Sequence, residues 1–211
     1  MLPFVAGWTL AVLVSPSLEP ELAYEPTSLV EIADFPSSWV GHDVRFTLQV
    51  DGLVQEWEPY MTSFTPGEFV ALSGWADEEF TWDKRTFDAP YRHVFVVRDT
   101  FFEDELASLE RFERIEVDAR VTEVFGGQAW IELRGFRRLD EYVGEGTLVC
   151  VGRALAALQE ARFEIAADQL ARAKQGPLPI HAIERLTLME SELEREKVRY
   201  LERRTAADPL R

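Results

Sequence analysis

Two runs of alternating residues meet at a pair of glycines, and this pattern limits the fold more than anything else in the chain. Ile115, Val117, Ala119 and Val121 alternate with Glu116, Asp118, Arg120 and Thr122. After Gly126-Gly127, Ala129, Ile131 and Leu133 alternate with Trp130, Glu132 and Arg134. A period of two with one apolar face specifies half-buried strands. Paired glycines between two strands suit a tight turn that needs positive φ. The segment Phe112–Leu139 therefore reads as a β-hairpin. Two strands alone are marginal in water, so the remaining chain must supply their sheet partners.

Upstream sequence offers three candidates. Residues 40–51 place Val44, Phe46, Leu48 and Val50 on one face and Arg45, Thr47, Gln49 and Asp51 on the other. Glu68–Trp75 reads as a second strand with a bulge or bend at Gly74, and Tyr91–Arg98 as a third, rich in β-branched and aromatic residues. Ala76–Pro90 reads as an irregular loop, and Phe102–Phe112 as a short amphipathic helix capped by Asp99 or Thr100. Trp39, Phe46, Phe69 and Phe95 are the expected aromatic core residues.

Three strands, a short helix and a hairpin, with a bend in one strand, resemble the OB-fold over residues 39–140. The resemblance is one of element order and pattern. It implies a five-stranded, partly open β-barrel with ligands held near the loop after the first strand and the loop between the fourth and fifth. Trp57, Tyr60 and Phe64 lie in the first of these loops, and Gly126-Gly127 in the second.

Beyond Leu139 the period changes. Glu141–Leu158 opens with glycines and becomes helical, and Ala161–Ala173 places Phe163, Ala166, Ala167, Leu170 and Ala173 at helical spacing. Ala154, Ala166, Leu170 and Ala173, followed by Pro177 and Pro179, resemble one tetratricopeptide repeat, with Ala157 where the repeat usually carries an aromatic residue. An αα-hairpin follows from the pattern alone. A third helix from Ile180 to about Arg203 offers Ile183, Leu186, Met189 and Leu193 early. Later it is mostly charged, either as a solvated projection or as a docking helix. The expected fold is thus α+β: a five-stranded OB-like β-barrel with a C-terminal three-helix unit. Residues 39–140 form the barrel, 141–204 the helical hairpin plus long C-terminal helix, and 205–211 a flexible tail. Residues 18–38, with three prolines among acids and serines, read as an extended linker or strap.

Residues 2–14 form an apolar run too short to span a bilayer and suited to the core of an export signal. No Lys or Arg precedes it and no clean Ala-x-Ala site follows, so a misassigned start or a buried segment remain alternatives. If residues 1–17 are a signal segment, the protein is periplasmic or secreted; otherwise it is cytoplasmic. The lone Cys150 forms no intrachain disulfide and reads as a buried thiol.

The formal charge of −16 is uneven, because residues 142–211 carry 11 acids and 11 bases. The excess of acid over the sheet region repels phosphate backbones and weakens the case for nucleic acid. No zinc spacing, Walker loop, dinucleotide fingerprint or nucleophile elbow is present, and no cofactor or metal is implied. His42, His93 and His181 are isolated, and the first two read as structural. Asp77, Glu78, Glu79, Asp83 and Asp88 do not match a calcium loop and read as a solvated loop. The reading that remains is a non-catalytic protein-binding adaptor or accessory subunit. Its interface candidates are the loop aromatics Trp57, Tyr60, Phe64, Phe80, Trp82 and Phe87. One alternative is a single-stranded nucleic-acid-binding OB-fold protein using Arg45, Trp130, Arg134, Arg137 and Arg138. The other is an enzyme of unrecognised type. The partner expected is another protein, with no stable transmembrane anchor.

Overall fold

The structure, a computed structural model, describes residues 23–57 and 62–207. The segment read as an export signal, and Tyr60, lie outside the described residues. The elements run β1 (Glu25–Pro26), α1 (Leu29–Asp34), α2 (Pro36–Trp39), β2 (Asp43–Val54), β3 (Phe69–Ala76), α3 (Lys84–Asp88) and β4 (Tyr91–Val97). They continue with α4 (Phe101–Ala107), β5 (Arg114–Phe125), β6 (Gln128–Leu139), α5 (Glu145–Gln159), α6 (Phe163–Ala173) and α7 (Ile180–Ala207).

The hairpin forms as the alternation requires, with β5 antiparallel to β6. Gly126 and Gly127 turn the chain at φ 60° and 78°, where a side chain would be strained. The sheet order is β1-β2-β3-β4-β6-β5, and β2 also pairs with β5. This corrects the expected five-stranded OB-like β-barrel to a six-stranded sheet. The extra strand is the parallel pairing of Glu25 and Pro26 with Val44 and Arg45, contributed by a segment whose prolines suggested no regular structure.

Residues 18–38 are also corrected, from an extended strap to a folded cover over the part that is described. Ser28 caps α1 by accepting from the Glu31 N–H. Leu29 and Ile32, three residues apart on one face of the helix, are fully buried on the sheet. The loop expected over 76–90 contains α3, started by Asp83 accepting from the Arg85 N–H. The helix expected over 102–112 stops at Ala107, where the Ser108 N–H and hydroxyl both turn back to the Glu105 carbonyl, and Phe112 at φ 75° then leads the chain into β5. At the other end, α7 continues through residues assigned to a flexible tail.

The main core lies on one sheet face and joins Val44, Phe46, Leu48, Ile115, Val117, Ile131 and Leu133 to α1 and Leu106 of α4. Part of the other face is covered as well. Phe64, Ala71, Phe95 and Trp130 form a second core there, with Trp57, Phe69 and Phe125 packed around it. Phe64 stacks on Phe95 at 4.4 Å and Phe95 on Trp130 at 4.8 Å between ring centroids. A third core sits within the three C-terminal helices.

Gly74 allows β2 and β3 to close up. A Cβ built there would lie 2.7 Å from the Gln49 carbonyl oxygen and 2.8 Å from Leu48 Cδ1. The β3–β4 register shifts between Leu72 and Gly74, where a bend was expected from sequence. Among the described residues no helix is long and apolar enough to cross a membrane.

Candidate functional site

Small residues make the helical unit and also leave space in it. Ala154, Ala157, Ala166 and Ala173 are buried where α5 and α6 meet, so the two backbones approach closely. The connection between them turns at Ala161, whose φ is 56°. The buried Thr147 hydroxyl of α5 donates to the Ala173 carbonyl of α6 at 3.3 Å. The third helix packs mainly along α6, through Ala182, Leu186 and Leu193. Farther along, Tyr200 meets Phe163 at 5.4 Å, and Lys197 reaches Glu164 at 2.6 Å.

Because the alanines of α5 and α6 are short, α7 does not fill the space facing them. A groove of about 370 Å³ remains. Ala154, Leu158, Ala166, Leu170 and Leu193 form its floor, with Leu155 and Met189 beside them. Glu192, Arg195, Glu196 and Arg199 stand along the rim. Arg199 donates to Glu196 at 2.7 Å, and the Arg195 guanidinium bonds the Ser191 carbonyl at 3.3 Å. An apolar floor with a charged, mostly self-compensated rim suits recognition of side chains better than bond making.

The residues singled out in sequence fall elsewhere. Phe64 is fully buried in the second core, and Trp57 packs there with its indole N–H donating to the Phe64 carbonyl. Phe64 is corrected from interface candidate to core, because the segment that carries it folds back over the sheet's second face, where Trp57 packs partly buried. Phe80 stacks on Trp82 at 4.7 Å, and Trp82 packs against the helical core. Phe87 stacks on Trp75 at 5.6 Å, with the Arg111 guanidinium over both rings. These three aromatics serve contacts within the chain.

The basic candidates are all paired. Arg45 grips Asp118 with two hydrogen bonds, Arg134 reaches Asp43, Arg137 reaches Glu116, and Arg138 reaches Glu113 and the Ser108 hydroxyl. Trp130 is 5% exposed, so its ring offers no face for a base to stack on. Cross-strand neighbours explain the pairing: Arg45 lies opposite Asp118 and Glu116 opposite Arg137 in the register.

Another polar cluster joins the sheet to the helices. Arg114 makes a two-point ion pair with Asp77, both side chains about 15% exposed. His181 Nε2 stands 4.0 Å from Asp77, and Gln49 donates to the Val143 carbonyl at 2.6 Å. The Asp77 hydrogen bond, followed by its charge, raises the Arg114 pKa above the ordinary guanidinium value. Burial raises the Glu78 and Glu79 carboxyls above theirs. Asp77 is thus committed to Arg114, and among the described residues no three His, Cys, Asp or Glu side chains converge on a metal position.

No family model and no curated protein matches this chain. Among solved structures, one similar chain is a protein provisionally assigned as an aspartyl-tRNA synthetase from Leishmania major Friedlin. It is 9% identical, with a TM-score of 0.37, and the likeness covers 76% of this chain and 34% of that one. This chain therefore spans about a third of that protein, and likeness at this level carries no argument about activity.

Proposed function

We propose that the protein is a non-catalytic adaptor or accessory subunit that binds a partner protein in the groove of its helical unit. The observation that carries this reading is the apolar groove between α5, α6 and α7, bordered by Glu192, Arg195, Glu196 and Arg199. Grooves of this kind accept the apolar face of a helix or an extended segment. The resemblance of the α5–α6 hairpin to a tetratricopeptide repeat agrees with such a role. A partner fitting the groove carries two or three apolar anchors flanked by charges of both signs. The nucleic-acid reading has weaker support, because each arginine named for it already faces a carboxylate.

The test is affinity capture from the native lysate with the wild-type protein and two variants. Leu155→Glu places a charge at the 39% exposed groove wall, whereas Lys84→Glu changes an exposed position remote from it. The expected result is a stoichiometric protein that resists nuclease, is lost with Leu155→Glu and is retained with Lys84→Glu. Capture indifferent to Leu155→Glu, or dependent on nucleic acid, would overturn the reading.

A further inference from the structure

We propose, resting on the groove as the partner site, that it selects an acidic amphipathic segment whose carboxylate is bound by Arg195. Of the flanking charges such a partner carries, the acidic one is the one the groove reads. The two walls differ in what they offer. The lining positions from α5 and α6 are alanines and leucines alone, so they hold anchors and carry no charge. Every charged group at the rim comes from α7: Glu192, Arg195, Glu196 and Arg199.

Those four charges are not equivalent. Glu196 is matched by Arg199 at 2.7 Å, and Glu192 by Arg185, outside the groove, at 3.8 Å. Among the described residues, Arg195 alone of the four has no carboxylate within ion-pairing distance. Its guanidinium is nonetheless held. Nε donates to the Ser191 carbonyl, one turn back along α7, at 3.3 Å. That bond ties down the long stem and leaves the Nη atoms for an incoming group. A guanidinium anchored in this way presents its planar fork to a carboxylate with little further ordering.

The rim is therefore left with one uncompensated positive charge beside an apolar floor. An acidic occupant meets Arg195 and finds Glu192 and Glu196 already neutralised. A basic occupant faces Arg195 and must take a carboxylate away from Arg185 or Arg199. Such an arrangement excludes the wrong partner more than it tightens the right one. Arg195 also fixes where the acid lies. It stands about 3 Å along the α7 axis from Leu193 of the floor, so the acid neighbours an apolar anchor of the occupant.

Selection from a displayed library of random peptides about 11 residues long, three helical turns, tests this against variants of the full chain. The wild type is expected to enrich peptides with leucine-like anchors and an aspartate or glutamate close to one of them. Arg195→Glu is expected to reverse the charge preference to lysine or arginine, and Leu155→Glu to select nothing. For a peptide so obtained, exchanging its acid for the amide weakens binding to the wild type roughly fivefold, the scale of an exposed ion pair. The same exchange leaves binding to Arg195→Ala unchanged. Wild-type selection with no excess of acids, or a preference unmoved by Arg195→Glu, overturns the role of Arg195. The groove reading then stands if Leu155→Glu still abolishes binding. Peptides indifferent to Leu155→Glu, or no selected peptide at all, overturn both.

Discussion

At single positions, the tightest constraint is Gly74. Its missing side chain lets the Gln49 carbonyl come within 2.7 Å of where a Cβ would be. Because the obstruction is backbone, Gly74→Ala is expected to cost about 1–3 kcal/mol, read as a lower urea midpoint. His93 is a second such position. Burial, aided by the charge of Arg92, holds its imidazole below the ordinary value, and its Nδ1 has no partner among the described residues. With a folded pKa below the unfolded value of about 6.5, the unfolded chain binds the proton first on acidification. This contribution is complete above about pH 6.5 and is lost as the pH falls below it. Urea midpoints at pH 7.5 and 5.5 should therefore differ more for the wild type than for His93→Gln. The bend at Gly74 could be read from one glycine within a strand, and the structural character of His93 from its place in β4. The burial of Trp57, Phe64 and Trp130 could not, because alternation marks one apolar face and is silent about what folds over the other.

At the level of elements, the hairpin, the three C-terminal helices and most strand boundaries were legible, since each carries its own periodicity. Where a short segment is held by a few contacts at a distance, the pattern fails. The α1 helix is six residues long, too short for its two buried side chains to stand out, and Glu25–Pro26 becomes a strand only by pairing with β2. The alanines of α5 and α6 signalled close packing, but the groove they leave depends on where α7 settles. Arg114 of β5 pairs with Asp77, just after β3, both mostly shielded from water, and Asp77 in turn faces His181 of α7 at 4.0 Å. Arg114→Ala leaves Asp77 without its main cation and is expected to cost roughly 2 kcal/mol, less than for a fully buried pair. The thermal midpoint, followed at the tryptophans, should then fall below that of the wild type. An unchanged midpoint would mean that the pair contributes nothing to stability.

For the whole molecule, charge and apolar surface are separated. The sheet region carries the acidic excess but spends several of its arginines on cross-strand pairs, and most of its aromatics are folded inward, with Phe35 and Phe101 exposed. The neutral helical unit bears the groove. Composition revealed the first half of that arrangement; the second required the packing of α7. Truncation after Glu194, one residue beyond the last fully buried side chain of α7, is expected to leave the sheet's near-ultraviolet dichroism intact. Loss of the sheet signal would show instead that the distal helix supports the fold. The same distal segment has a consequence for survival in the cell. Five of the thirteen residues from 195 to 207 are arginine or lysine, so a trypsin-like protease meets a cleavable bond at nearly every turn. Those bonds are open to cutting whenever the helix end frays, so the distal turns of α7 are where trimming of the folded protein begins.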